Sequence, residues 1–109
     1  MAAELPDAIA RYFAADAGTD ADTIAQCFAD SAIVTDEGHT HVGRDAIRRW
    51  KTEAASRYCY TAQPVAVAAQ GDRTVVTSHL VGDFPGSPVD LRYIFLLEGP
   101  QIAALEIVP

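Results

Sequence analysis

The run Thr61-Ala62-Gln63-Pro64-Val65-Ala66-Val67-Ala68-Ala69-Gln70 leads through Gly71-Asp72 into Arg73-Thr74-Val75-Val76-Thr77-Ser78-His79-Leu80-Val81-Gly82, and here the chain changes character. Both runs have the β-branched and small apolar make-up that suits a pleated, half-buried surface. Gln70-Gly71-Asp72-Arg73 between them has the composition of a tight strand connection. Two further strand-like runs follow, Val89 to Leu97 and Ile102 to Val108, joined by Glu98-Gly99-Pro100-Gln101. Asp83-Phe84-Pro85-Gly86-Ser87-Pro88 is a wider turn. From Thr61 onward the chain is therefore an antiparallel meander.

Before Thr61 the period is helical. Leu5, Ile9, Tyr12 and Phe13 fall on one face of a helix over residues 4–17, with Asp7, Arg11 and Asp16 elsewhere. Gly18 stops it. Thr19-Asp20-Ala21-Asp22 offers N-cap oxygens for a second, shorter helix through Ile24, Cys27 and Phe28. Ala32-Ile33-Val34-Thr35 is a brief strand ending at Asp36, and Glu37-Gly38 turns the chain toward a short pairing segment, His39 to Val42. A third helix over residues 45–57 buries Ile47, Trp50, Ala54 and Tyr58. Helices first and a meander second predict an α+β layer fold: a cone-shaped, curved antiparallel β-sheet with three N-terminal helices over its concave face.

The totals bound the function. A chain of 109 residues has room for one core, so residues 1–109 are expected to form a single domain. No apolar run approaches the ~20 residues of a membrane span, and the N-terminus lacks the pattern of a signal peptide, so a cytoplasmic protein is expected. A net charge of −7 disfavours nucleic acid and anionic membranes as partners. Arg44, Arg48, Arg49 and Lys51 form the densest basic cluster, which Asp45 and Glu53 dilute. Cys27 and Cys59 have no metal-ligand spacing and read as structural thiols.

In Leu91-Arg92-Tyr93-Ile94-Phe95-Leu96-Leu97, apolar residues occupy both parities. A strand with one face in water alternates. The second face is thus expected to be covered, and a second copy of the chain covers it in the simplest case.

Tyr12-Phe13-Ala14-Ala15, Phe28-Ala29-Asp30-Ser31-Ala32 leading to Asp36, Gly43-Arg44-Asp45-Ala46-Ile47 and Ile102-Ala103-Ala104-Leu105-Glu106-Ile107, in this order of elements, resemble the nuclear transport factor 2-like superfamily. Within it, the chain is most similar to the small SnoaL-like and ketosteroid isomerase-like domains, also called cystatin-like. The resemblance implies a pocket between the sheet and the helices that takes a small, largely apolar molecule, with Phe13, Trp50, Phe84, Tyr93 and Phe95 in its walls. By the same resemblance Asp36 takes the general-base position and Tyr12, 24 positions earlier, that of an oxyanion donor. Asp90 falls near the second oxyanion-hole acid, but a one-residue change of register would turn it outward. Glu37 stands where the isomerases commonly have proline.

His79 lies within a strand. Facing the cone it would form an acid–base dyad with Asp36, as in dehydratase-like relatives; facing the other way it belongs to a dimer contact. His39-Thr40-His41 sets two imidazoles on one face of an extended strand, yet a metal site also needs a third ligand. No metal and no cofactor are expected. The expected function is a small-molecule pocket protein with cofactor-independent acid–base chemistry of the isomerase type. The alternatives are a non-catalytic dimeric module that binds a ligand or a protein, and a dehydratase- or cyclase-like enzyme with a His–Asp dyad.

Overall fold

A computed structural model describes residues 5–18, 21–57 and 59–109, the side chains of 55–57 excepted. The elements run α1 (Asp7–Gly18), α2 (Ala21–Gln26), β1 (Phe28–Asp36), β2 (His39–Val42), α3 (Arg44–Arg57), β3 (Tyr60–Gln70), β4 (Arg73–Gly82), β5 (Val89–Glu98) and β6 (Gln101–Val108). The N-cap expected of Thr19-Asp20 and the buried role expected of Tyr58 lie outside the described residues. No helix among the described residues is long and apolar enough to cross a membrane.

The strands form one curled, unclosed sheet in the order β2-β1-β6-β5-β4-β3. From β3 to β6 it is the expected antiparallel meander. The sheet is mixed, however, because β1 pairs with β6 in parallel, Ile33 opposite Ala104 and Asp36 opposite Ile107. A parallel pair needs a long crossover, and here everything between the two strands supplies it. β1 also begins earlier than the sequence suggests. Helix α2 stops at Gln26, and the Ile102 amide donates to the Cys27 carbonyl at 2.9 Å, which draws Phe28 into the sheet opposite Ile102.

Local chemistry explains the bends. β3 is an edge strand, where Pro64 removes no needed donor, and its register shifts between Pro64 and Ala66. Gly82 is required by close approach, since a Cβ there would stand 2.3 Å from the Cys59 carbonyl oxygen. The β1–β2 turn has positive φ at both central residues, Glu37 at 52° and Gly38 at 76°. Two such residues match a type I′ hairpin, and proline, fixed near −65°, has no place at Glu37.

The inner face of the sheet meets the helices. Ile9, Tyr12 and Phe13 of α1 and Ile47 and Trp50 of α3 join Phe28, Val34, Val76, Leu80, Tyr93, Phe95, Ile102 and Leu105 in one core. Tyr12 stands at its centre, its ring 5.2–6.3 Å from those of Phe13, Phe28, Phe95 and Tyr93. The outer face carries Ile33 and Val81, nearly half exposed, and half-buried Ile94, Leu96 and Val108. The mixed parity of β5 thus has a structural counterpart: Tyr93 and Phe95 point in, Ile94 and Leu96 point out.

Candidate active site

A cleft of about 800 Å³ opens between the inner sheet face and α3. Its rim is the β1–β2 hairpin. Asp36 ends β1 on the same parity as buried Ala32 and Val34, so its half-buried carboxylate turns to the inner face and lines the cleft. His39 and His41 pair with Asp36 and Val34 across the hairpin and share that face. The spacing argument for two imidazoles on one side holds, and both line the cleft. No cluster of metal-ligating side chains is found among the described residues.

Trp50 fixes the Asp36 carboxylate. One turn beyond Ile47 on the buried stripe of α3, it donates its indole N–H to Asp36 Oδ2 at 3.0 Å. The His41 ring stacks on the indole at 5.9 Å and 29°. Val89, Leu91, Tyr93, Leu80 and Ile107 supply apolar wall. Phe84, in the β4–β5 turn, meets the Tyr60 ring edge to face at 6.5 Å and closes the side away from the rim.

The inner end holds groups that the sequence argument passed over. Lys51 Nζ donates to Asp16 Oδ1 at 2.7 Å, both side chains being less than a tenth exposed. Tyr60 donates its hydroxyl to the same Asp16 oxygen at 3.2 Å, and Lys51 Nζ stands 3.4 Å from that hydroxyl. The ammonium also lies over two rings, 4.4 Å from the Trp50 centroid and 5.1 Å from that of Tyr12. Cation–π attraction of this kind adds to the ion pair. Lys51 and Tyr60 line the cleft. Burial, with the Asp16 carboxylate next, pushes the Tyr60 hydroxyl well above its ordinary value, and burial does the same to Tyr93. These phenols are neutral donors throughout the physiological range.

The signal for this cluster was in the period. Asp16 lies four residues after Tyr12, and Lys51 four after Ile47. Both sit on the buried stripes of their helices, which corrects the expectation that Asp16 falls off the apolar face of its helix. A charge on an apolar stripe asks for an opposite charge facing it.

The other expected site residues divide. Trp50, Phe84 and Tyr93 line the cleft. Phe13 and Phe95 are a layer below it in the core, because parity and helical phase set the face of a residue but not its depth. Tyr12 is wholly buried under Lys51, is no part of the cleft wall, and its hydroxyl has no hydrogen-bond partner among the described residues. His79 needs a correction as the partner of Asp36. It faces outward, its parity opposed to that of buried Ser78 and Leu80, and its Nδ1 lies 2.7 Å from Asp90 Oδ1 across β4 and β5. Asp90 is outside for the same reason, so neither residue reaches the cleft.

A family profile of the SnoaL-like domain matches residues 9–99. No curated protein matches the chain. Among solved structures, the chain is similar to a candidate polyketide cyclase from Sinorhizobium meliloti, 43% identical, covering 94% of each chain at a TM-score of 0.90. It is also similar to a hypothetical protein with a ketosteroid isomerase-like fold from Catenulispora acidiphila, in complex with trimethylamine. That protein is 19% identical, with 97% of this chain and 87% of the other covered and a TM-score of 0.85. An NTF2-like protein of unknown function from Cytophaga hutchinsonii is 10% identical, with 93% and 85% covered and a TM-score of 0.72. The last two are likenesses of fold alone.

Proposed function

Because the chain belongs to the SnoaL-like domain family, we propose that its cleft binds a small, largely apolar carbonyl compound and moves a proton on it, with Asp36 as the base. The supporting observation is the Asp36 carboxylate itself: half-buried, lining a cleft of about 800 Å³, and held by the Trp50 N–H at 3.0 Å. A volume of that order suits a small-molecule site.

The step is general-base catalysis without a cofactor. Asp36 takes a proton from the carbon beside a ligand carbonyl. The C–H electron pair moves into the carbon–carbon bond and the carbonyl pair onto oxygen, giving an enolate and a neutral Asp36. The enolate then either recovers the proton at another carbon, an isomerisation, or attacks an electrophilic carbon of the same molecule, a cyclisation. In the second case Asp36 returns its proton to the oxygen that the attack leaves charged. The Sinorhizobium relative, named for polyketide cyclisation, supports including the second outcome. A fixed carboxylate in a partly dry site gains on water through orientation, since the Trp50 hydrogen bond sets which oxygen faces the ligand.

Tyr12 takes no direct part in this reading, because the rings and ammonium above it separate its hydroxyl from the cleft. The same reading has the chain acting as a homodimer through the outer sheet face, with the His79–Asp90 pair at that face.

The test is hydrogen–deuterium exchange at the α-carbon of a simple cyclic ketone, cyclohexanone, followed by NMR in the presence of the protein. Asp36→Asn is expected to lower the protein-dependent exchange by about 10²-fold or more while leaving ligand binding within a few-fold. Exchange unchanged in Asp36→Asn would remove Asp36 as the base, and a ketone that binds without exchanging would leave a binding module.

A further inference from the structure

We propose that Lys51 forms an oxyanion-binding subsite at the inner end of the cleft, so that the ligand carries an acidic or enolisable oxygen at the end remote from the rim. This deepens the function proposed above and rests on that reading for the identity of the cleft as the site.

Lys51 has three ammonium hydrogens. Asp16 takes one at 2.7 Å, and the Tyr60 hydroxyl oxygen takes another at 3.4 Å. The ammonium also meets two ring faces, that of Trp50 beside the cleft and that of Tyr12 beneath it. Among the described residues no third oxygen accepts from this buried ammonium, which lines the cavity. An arriving ligand oxygen completes it. The hydrogen bond is charge-assisted and forms where water is largely excluded, which favours an oxygen carrying negative charge over a neutral one.

Asp16 and Tyr60 are positioning residues in this arrangement. Asp16 holds the ammonium in place at 2.7 Å, and Tyr60 ties Asp16 from the other side. Trp50 sets the spacing. Its N–H holds Asp36 and its ring face meets Lys51, so one indole contacts both the carboxylate and the ammonium. The cleft is thereby polarised, with a base at the rim and a cation at the inner end. A ligand that spans it presents a C–H to one and an oxygen to the other. The subsite also supplies what the base needs, since the enolate formed at Asp36 has its charge on oxygen.

The probe is 4-nitrophenol, whose ionised form absorbs visible light, with 4-nitroanisole as a control lacking the acidic oxygen. On the full chain, bound 4-nitrophenol is expected to ionise about one pH unit or more below its free value, equivalent to nitrophenolate binding about tenfold tighter than the neutral phenol. Asp16→Asn combined with Lys51→Met removes both charges together and is expected to abolish the displacement while 4-nitroanisole still binds. Tyr60→Phe, which leaves the ion pair in place, reports in parallel should the double variant not fold, and is expected to reduce the displacement. Three results overturn the subsite: no nitrophenol binding at millimolar concentration, binding without displacement, or an equal displacement in a folded double variant. Asp36→Asn is expected to keep the displacement while losing ketone exchange. If exchange survives in Asp36→Asn and the displacement persists, the base assignment fails and the subsite stands; if exchange is lost and no displacement is ever seen, the subsite fails alone.

Discussion

Tyr12 shows at the residue scale what a single hydroxyl can cost. Its oxygen is fully buried without a partner among the described residues, a condition worth about 1–3 kcal/mol against the folded state. Tyr12→Phe removes that atom and keeps the ring packing with Phe13, Phe28 and Phe95, so thermal unfolding should move up by several degrees. A lower melting temperature would show that the hydroxyl has an acceptor after all. Burial, then the Asp16 charge, holds the Tyr12 pKa well above the ordinary 10.0. A pKa raised on folding gives stability that is complete below the unfolded value and is lost as pH rises above it. The wild type should therefore lose stability steeply above about pH 10, where unfolded tyrosines ionise, and Tyr12→Phe should lose less. Melting curves between pH 8 and 11.5 measure both. Asp36 was legible in the sequence because a strand end followed by a turn is a local signal. Tyr12 was legible as a buried residue, but its depth below the cleft depends on how far the Lys51 side chain reaches across it.

Helices α1 and α3 make the element-scale case. Each is amphipathic, and each places one charge on its buried stripe, Asp16 and Lys51, which meet at 2.7 Å. Removing one partner from such a pair leaves an uncompensated buried charge and costs about 3–5 kcal/mol, whereas replacing both with apolar or neutral groups costs far less. Lys51→Met alone should therefore destabilise more than Lys51→Met with Asp16→Asn, by urea denaturation. Additive losses would show that the pair is not coupled. The turn at Glu37 offers a second measurement. A non-glycine residue at φ 52° is strained by about 1 kcal/mol, and Glu37→Gly should recover part of it, offset by the backbone freedom of glycine in the unfolded chain. The helical period showed which apolar residues each helix buries, but Asp16 was expected off that face, because a charge at its edge looks solvated until an opposite charge is known to face it. The partner of each could not be named, because the pairing depends on how α1 and α3 cross the sheet, and no local pattern encodes that.

For the whole molecule, the expected resemblance to the nuclear transport factor 2-like superfamily is borne out by the family match and the shared fold. The meander from β3 to β6 was legible almost to the residue, since its turns are local and its strands are sequential neighbours. The parallel joining of β1 to β6 was not, because it brings together residues some seventy positions apart. The outer sheet face is the second feature at this scale. Ile94→Lys, set among Val75, Leu96 and Val108, should convert the proposed dimer to monomer by light scattering without disturbing the inner core. A wild-type chain that is monomeric at tens of micromolar would remove the dimer proposal.

The position of β6 has a consequence for biosynthesis. It lies between β1 and β5, so residues 101–108 supply the inner neighbour of a hairpin synthesised some sixty residues earlier. While the ribosome is still making the meander, β1 keeps an unpaired edge and the Asp36 rim lacks Ile107 beside it. The nascent chain thus carries one wall of its future cleft as an open strand until β6 has left the ribosome, and only then do both sides of the cleft come into being together.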